Sequence, residues 1–301
     1  MKFPSFATEK ETEAFVMACE RAYHASVDAA IREIRSRESL RFISLAGPTC
    51  SGKTTTANLI IDKLRKEHRR VVVISIDDFF FDREYLHDMA KTSGEPLDLD
   101  SVKTIDLKQL AGVVADLEAG KTTLLPHFDF TEGRQTYVTE FLPQADDIYL
   151  FEGIQALYPE VISLFDPSTM LRLYISIEQT LVTPFCELSP REQRLLRRLL
   201  RDSQFRGTDA ETTLTHWSGV VANETKNIDP YVSSCELHID SSLPYELAVM
   251  RDRLISLLGS VRDESPHSLT AREYCRLLSN FSVISSSMVP QDSVLREFIG
   301  E

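Results

Sequence analysis

The chain has 301 residues, of which 43% are hydrophobic and 26% charged, a composition typical of a globular protein with one large or two small α/β domains. Its net charge of −13 repels phosphate polymers, so we expect neither nucleic acid nor an anionic membrane as a partner. The five cysteines lack the spacing of a zinc site or disulfide framework and no apolar run is long enough to cross a membrane, which predicts a cytoplasmic protein.

Apolar patterns along the chain predict helices that alternate with strands. The predicted helices cover residues 9–38, 55–68, 106–119, 244–260 and 270–280. The predicted strands cover residues 40–46, 71–76, 148–151, 171–175 and 235–239. This order predicts an α/β fold, a doubly wound parallel sheet of about five strands with ligand sites at the carboxyl ends of the strands.

A phosphate-binding loop lies between the first predicted strand and the helix that follows it. Residues 47–54 have the sequence GPTCSGKT, which matches the P-loop pattern G-x-x-x-x-G-K-T and predicts a P-loop NTPase fold. The two glycines allow turns that direct backbone N–H groups at phosphate oxygens, Lys53 supplies a positive charge and Thr54 a hydroxyl for Mg²⁺. The predicted ATP-binding residues are Gly47, Thr49, Cys50, Ser51, Gly52, Lys53, Thr54 and Thr55.

Two acidic residues directly follow predicted strands. Asp77 comes after strand 71–76, which we expect to lie next to the P-loop strand, and Glu152 comes after strand 148–151. From there Asp77 can accept the proton of an alcohol that faces the γ-phosphate, with Lys53 as the second catalytic residue. Thr54, Glu152 and Asp77 together predict a Mg²⁺ site. Alternatively, Asp77 caps a turn, and Glu152 orients Asp77 or bonds to loop amides.

A β-hairpin is predicted between the second and third strands of the sheet. Residues 122–130 and 135–141 are rich in β-forming residues, and the turn between them contains Gly133. The hairpin is expected to project from the sheet and to form one wall of a substrate pocket, with Phe128, Phe130 and Arg134 as substrate-binding residues. The two phenylalanines stack on a base or, alternatively, pack the hairpin against the core.

Six arginines lie close together on a predicted helix within residues 191–206. They are Arg191, Arg194, Arg197, Arg198, Arg201 and Arg206. In so acidic a chain, this excess of positive charge predicts a helical, Arg-rich lid that clamps the phosphates. The alternative is a solvated helix face whose arginines pair with nearby acids.

The order of these motifs resembles the uridine kinase branch of the uridine kinase–phosphoribulokinase family. The resemblance covers residues 41–240 and rests on GPTCSGKTT, SIDDFF, LPHFDF, YLFEGI and RLLRRLLRDSQFRG. It implies ATP or another nucleoside triphosphate as the phosphoryl donor, Mg²⁺, and a homo-oligomer as in many uridine kinases. It also implies that Asp77 deprotonates a ribose 5′-hydroxyl, Asp100 binds ribose hydroxyls, Arg198 lies on the substrate side, and Arg201 and Arg206 act catalytically from the lid.

Three positions depart from the family on the substrate side. No histidine follows Phe130 in the hairpin, Phe128 replaces a tyrosine, and Thr208 replaces a lid arginine. The leading hypothesis remains a kinase that acts on a nucleoside such as uridine or cytidine. The alternatives are a kinase of another small alcohol, such as a sugar phosphate or a pantothenate-like compound, and a catalytically silent ATP-binding regulator.

We expect an N-terminal helical segment (1–40), a kinase domain (41–245) and a helical extension packed on it (246–301).

Overall fold

Five strands form a parallel sheet in the computed structural model, which describes residues 4, 6–94 and 101–300. They are β1 (Phe42–Ala46), β2 (Val71–Ser75), β5 (Ile148–Gly153), β6 (Met170–Ser176) and β9 (Leu237–Asp240). Their order across the sheet is β2-β5-β1-β6-β9. The predicted α/β fold with a parallel sheet of about five strands is thus confirmed.

The strand before Asp77 does not lie next to the P-loop strand, and that expectation is wrong. Strand β5 runs between the two, so that Glu152 pairs in register with Leu45 of β1 on one side and with Ser75 of β2 on the other. The burial of the strands agrees with this order. Strand β5 is buried along nearly its whole length, whereas β2 is an edge strand on which Val73 is exposed.

Eleven helices are present in the part of the chain that the structure describes, and the predicted ones are confirmed to within a few residues. They are α1 (Glu9–Ser36), α2 (Lys53–Arg65), α3 (Arg83–Ser93), α4 (Leu107–Glu118), α5 (Pro159–Ile162), α6 (Pro190–Arg206), α7 (Ala210–Asn227), α8 (Asp229–Val232), α9 (Glu246–Leu258), α10 (Ser268–Leu278) and α11 (Arg296–Ile299). None of them is long and apolar enough to cross a membrane.

The helices cover the two faces of the sheet. Apolar residues of α1, α2, α6, α9 and α10 form one core with the sheet, and those of α4 form a second core with residues such as Phe79 and Phe151. Helix α6 begins with Pro190 and with a capping box in which Ser189 and Glu192 bond to each other's backbone N–H groups. Its start is therefore fixed by local sequence.

The predicted hairpin consists of β3 (Thr123–Asp129) and β4 (Arg134–Phe141). Asp129 shapes its turn, because its Oδ1 atom accepts hydrogen bonds from the N–H groups of Thr131 (2.7 Å) and Glu132 (3.0 Å). Gly133 follows with a positive φ of 70°. The hairpin packs against α4 and against the 3₁₀ turn Ile76–Phe79, which places it beside Asp77. A short second hairpin pairs β7 (Leu181–Val182) with β8 (Glu187–Leu188).

Candidate active site

The loop after β1 has the close backbone contacts that a phosphate cradle requires. A side chain at Gly47 would lie 2.2 Å from the carbonyl oxygen of Ile175, and Gly52 has a φ of 91°. Both positions therefore require glycine. Within the loop, the buried hydroxyl of Ser51 has no hydrogen-bond partner among the described residues. A phosphate oxygen in the cradle would satisfy such a group.

Lys53 and Thr54 stand at the start of α2, where N–H groups and the helix dipole favour an anion. The Nζ atom of Lys53 donates to the carbonyl oxygens of Gly47 (2.9 Å) and Pro48 (3.2 Å), so the lysine lies across the loop. The side chain of Thr54 is exposed to solvent. Both residues are thus placed where the P-loop pattern predicts them.

Glu152 lies at the end of β5, between the loop and the end of β2. Its Oε1 atom accepts a hydrogen bond from Ser75 Oγ (3.2 Å). Burial raises the pKa of Glu152, and the nearby positive charge of Lys53 partly offsets that effect. The carboxylate is therefore within electrostatic range of the lysine that would bind phosphate.

Asp77 lies in the 3₁₀ turn Ile76–Phe79 and is partly buried. It follows Ser75, the register partner of Glu152, by two residues, which puts it at the same edge of the sheet as Glu152 and the loop. Mg²⁺ prefers oxygen donors such as the hydroxyl of Thr54 and the carboxylates of Glu152 and Asp77, so the Mg²⁺ site at these residues stays a prediction. Asp100, the predicted ribose-binding residue, lies outside the described residues.

Two arginines of the predicted clamp are structural, and their assignment to bound phosphate is wrong. Arg194 forms a paired salt bridge with Glu224, with both distances 2.7 Å, and donates to the carbonyl oxygen of Thr49 (3.0 Å). Arg197 is fully buried, bonds to Glu246 (2.9 Å from Nε) and donates to the carbonyl oxygen of Cys50 (3.3 Å). Acids elsewhere in the fold thus neutralise both arginines. Their hydrogen bonds to the carbonyl oxygens of Thr49 and Cys50 hold the backbone of the P-loop in place.

The next three arginines surround one buried acid, Asp202. Arg198 Nε lies 3.1 Å from this carboxylate, Arg201 Nη2 lies 2.8 Å from it, and Arg206 Nε lies 3.7 Å from it. Arg201 also reaches Thr49 Oγ1 (3.4 Å), so one of its amino groups faces the loop. Since one carboxylate serves three guanidinium groups, this end of α6 keeps an excess of positive charge. The remaining arginine, Arg191, pairs with Asp229 (2.9 Å).

The substrate-binding residues predicted on the hairpin differ in exposure. Phe128 is buried and meets the rings of Phe80 and Phe130 edge to face, so it packs the hairpin against the core. Phe130 is 56% exposed and remains accessible. Arg134 is exposed and bonds to Glu132 (2.8 Å).

A cavity of about 410 Å³ lies between the hairpin, the start of α3 and α4. It is lined by Phe80, Phe81, Asp82, Tyr85, Asp106, Gln109 and Gln135. The amides of Gln109 and Gln135 bond to each other (2.8 Å from Gln135 Nε2 to Gln109 Oε1). Aromatic rings with a few converging polar groups are typical of small-molecule sites. None of the lining residues was predicted from the sequence to bind a ligand.

The sequence did not predict the role of Asp78, which attaches the hairpin to the turn that contains Asp77. Asp78 Oδ1 accepts a hydrogen bond from the N–H of Phe128 (3.0 Å) and lies 3.3 Å from His127 Nδ1. Burial raises the pKa of Asp78. The only signal in the sequence was its position next to Asp77, which gives no sign of a link to a segment fifty residues away.

A parallel α/β sheet that carries a P-loop after its first strand, with an acid at the end of the neighbouring strand, defines a P-loop nucleotide-binding protein. Residues 42–247 match the profile of the phosphoribulokinase / uridine kinase family. The chain therefore belongs to this family.

Several curated proteins are similar to this chain over part of its length. The uridine kinase of Schizosaccharomyces pombe is 32% identical over 189 residues, which cover 62% of this chain and 37% of that protein. The uridine-cytidine kinase C of Dictyostelium discoideum is 32% identical over 149 residues, 49% of this chain and 30% of that protein. The chain thus spans about a third of the length of these two relatives. The uridine kinase of Clostridium novyi is 26% identical over 228 residues, which cover 74% of this chain and 97% of that protein.

Solved structures share the fold at low sequence identity. A protein from Silicibacter sp. TM1040 superposes with a TM-score of 0.51 at 17% identity, over 71% of this chain and 97% of its own. The YGR205w protein superposes with a TM-score of 0.50 at 19% identity, over 69% of this chain and 86% of its own. These matches support the fold alone.

Proposed function

We propose that the protein transfers the γ-phosphoryl group of ATP to the 5′-hydroxyl of a nucleoside or a related ribosyl alcohol. The observation that carries this proposal is the alignment of three groups at one edge of one sheet. They are the loop after β1, Glu152 at the end of β5 and Asp77 just beyond β2. Family membership and relatives named uridine kinase support the same reaction.

The P-loop would hold the phosphates of ATP. Its N–H groups point at phosphate oxygens, Ser51 gains the hydrogen bond it lacks, and the Lys53 ammonium moves from loop carbonyls to the β- and γ-phosphates. Mg²⁺, when bound, neutralises charge on the transferring phosphoryl group, and Thr54, Glu152 and Asp77 are the residues that would hold it.

Asp77 is the proposed base of the transfer step. Its carboxylate accepts the proton of the acceptor hydroxyl while that oxygen forms a bond to the γ-phosphorus. The bond from the γ-phosphorus to the bridging oxygen of ADP breaks, and ADP leaves with the electron pair. Arg201 and Arg206 supply positive charge from the end of α6, where they share Asp202 with Arg198.

The acceptor pocket is proposed to lie against the hairpin. Phe130 is available to stack on a base, whereas the side chain of Arg83 covers Gly133 and its Nη2 atom donates to the carbonyl oxygen of Phe130 (2.8 Å). No histidine follows Phe130 in this turn, where the resemblance would place a residue that reads the base. The missing histidine is the observation behind a second candidate reaction, the same transfer to a sugar phosphate or a pantothenate-like alcohol.

An ADP-release assay with a panel of acceptors tests the proposal. The panel contains uridine, cytidine, purine nucleosides, sugar phosphates and pantothenate, with calorimetric ATP binding measured in parallel. Turnover with a nucleoside supports the leading reaction, and turnover with only another alcohol supports the second. Tight ATP binding without turnover on any acceptor would favour a nucleotide-binding regulator and refute both reactions.

A further inference from the structure

Residues 293–300, here named the C-terminal strap, pack beside the P-loop. Ser293 Oγ donates to Glu20 Oε1 on α1 (2.6 Å). Val294 and Phe298 are fully buried, and the guanidinium of Arg197 lies 5.0 Å from the centre of the Phe298 ring. The strap is therefore fixed by contacts with both α1 and α6.

The strap touches the P-loop at two points. A methyl group of Val294 lies so close to Gly52 that a side chain there would come within 2.2 Å of it. One turn later, Glu297 Oε2 accepts a hydrogen bond from Thr55 Oγ1 (2.9 Å). The strap thus brings a carboxylate to the first turn of α2, the helix end that faces the phosphates of a bound nucleotide.

The charge of Glu297 acts on groups around the loop. It raises the pKa values of Glu152 and of the Cys50 thiol, in each case as a smaller contribution than burial. Burial lowers the pKa of Arg201, the arginine that reaches Thr49, whereas Asp202 and, more weakly, Glu297 raise it. The field of this carboxylate therefore extends over both sides of the cradle.

We propose that Glu297 is a specificity-determining residue that makes the nucleotide site favour the Mg²⁺ complex of a nucleotide over the metal-free form. The inference rests on the proposed binding of nucleotide at the P-loop. A fixed negative charge beside the cradle repels every phosphate ligand in proportion to the negative charge of that ligand. Mg²⁺ lowers the charge of ATP and ADP, so the complex is repelled less than the free nucleotide.

Calorimetric titration of the full chain with ATP and ADP, each with Mg²⁺ or with EDTA and without acceptor, tests this role. Glu297→Gln keeps an acceptor for Thr55 Oγ1 but removes the charge. We expect this variant to bind metal-free ATP roughly tenfold more tightly and the Mg²⁺ complex roughly threefold more tightly than the wild type, with smaller gains in affinity at high salt. Glu297→Asp, which keeps the charge, should restore wild-type discrimination. Glu118→Gln, on exposed surface at the end of α4, is the matched control.

Unchanged affinities in Glu297→Gln, or an equal change for free and Mg²⁺-bound nucleotide, would overturn the proposal. Weaker binding of every ligand would also overturn it, since the carboxylate would then serve only to hold the loop. Failure of the proposed phosphoryl transfer is a separate result, because the titrations contain no acceptor. A wild-type protein that binds nucleotide with the stated discrimination but transfers no phosphate supports this inference and refutes the proposed reaction.

Discussion

The carboxylate of Asp78 accepts a hydrogen bond of 3.0 Å from the main-chain N–H of Phe128, and so joins the turn of the proposed base to the hairpin. Gln135 on the other hairpin strand donates to the carbonyl oxygen of the same Asp78 (3.2 Å). Both strands of the hairpin are therefore attached to the residue next to Asp77. A displacement of the hairpin would be transmitted to the base.

Replacement of Asp78 by alanine tests this attachment. We expect Asp78→Ala to raise the KM for the acceptor about tenfold, because the hairpin wall loses its anchor, and to leave the KM for ATP within about twofold. Steady-state kinetics with each substrate varied in turn measures both values. Asp88→Ala on the exposed face of α3 is the control, and an equal rise of both KM values in Asp78→Ala would contradict the anchoring role.

Replacement of Asp77 by asparagine tests the proposed base. Asparagine keeps the size of the side chain but cannot accept the proton, so we expect kcat to fall at least about 100-fold while ATP binding is retained. Asp88→Asn is the matched control. Turnover equal to that of the wild type in Asp77→Asn would remove Asp77 from the mechanism.

Arg197 and Arg201 lie one helical turn apart and should respond differently to substitution by methionine. Arg197→Met leaves Glu246 buried without a partner, and we expect the free energy of unfolding to fall by about 3–5 kcal/mol. Arg201→Met should lower kcat, whereas its free energy of unfolding should fall by only about 1 kcal/mol or less. Urea unfolding and kcat for the two variants measure this contrast, and equal losses of stability would show that both arginines are structural.

The buried carboxyl group of Glu152 predicts a stability that depends on pH. Because burial raises the pKa of Glu152, the folded state prefers its protonated form, and the wild type loses stability as the pH rises through that raised pKa. Glu152→Gln should therefore be more stable than the wild type at pH 7, and lose this advantage as the pH falls below the ordinary range of a glutamate pKa. Urea unfolding across this pH range is the measurement. A constant difference would contradict the assignment, and Glu118→Gln serves as the exposed control.

Local patterns in the sequence predicted the elements of this site well. The loop at 47–54, the acids just beyond β2 and at the end of β5, and the hairpin all depend on neighbouring residues, and the structure places each at one edge of the sheet. The order of the strands was less accessible. Parallel strands are joined by long crossovers, so the sequence contained no local signal that β5 inserts between β1 and β2.

Whether an arginine of α6 is structural or remains available for a ligand depends on partners distant in sequence. Arg194 and Arg197 have the same spacing as the other arginines of α6, and only the burial of Glu224 and Glu246 beside them shows that they are structural. Glu297 illustrates the same limit, since 242 residues separate it from Thr55. Charge counts along a helix predict the sign of a surface but not which members of the cluster remain available.

The contact of Val294 with Gly52 has a consequence for the order in which the protein matures. Ribosomes extend a polypeptide from its amino end, so the loop emerges long before its covering valine has been made. Co-translational collapse of the first α/β units can therefore proceed, but the cradle reaches its final shape only after residue 294 has left the exit tunnel. Nascent chains halted before that point should bind nucleotide poorly even when their sheet has formed.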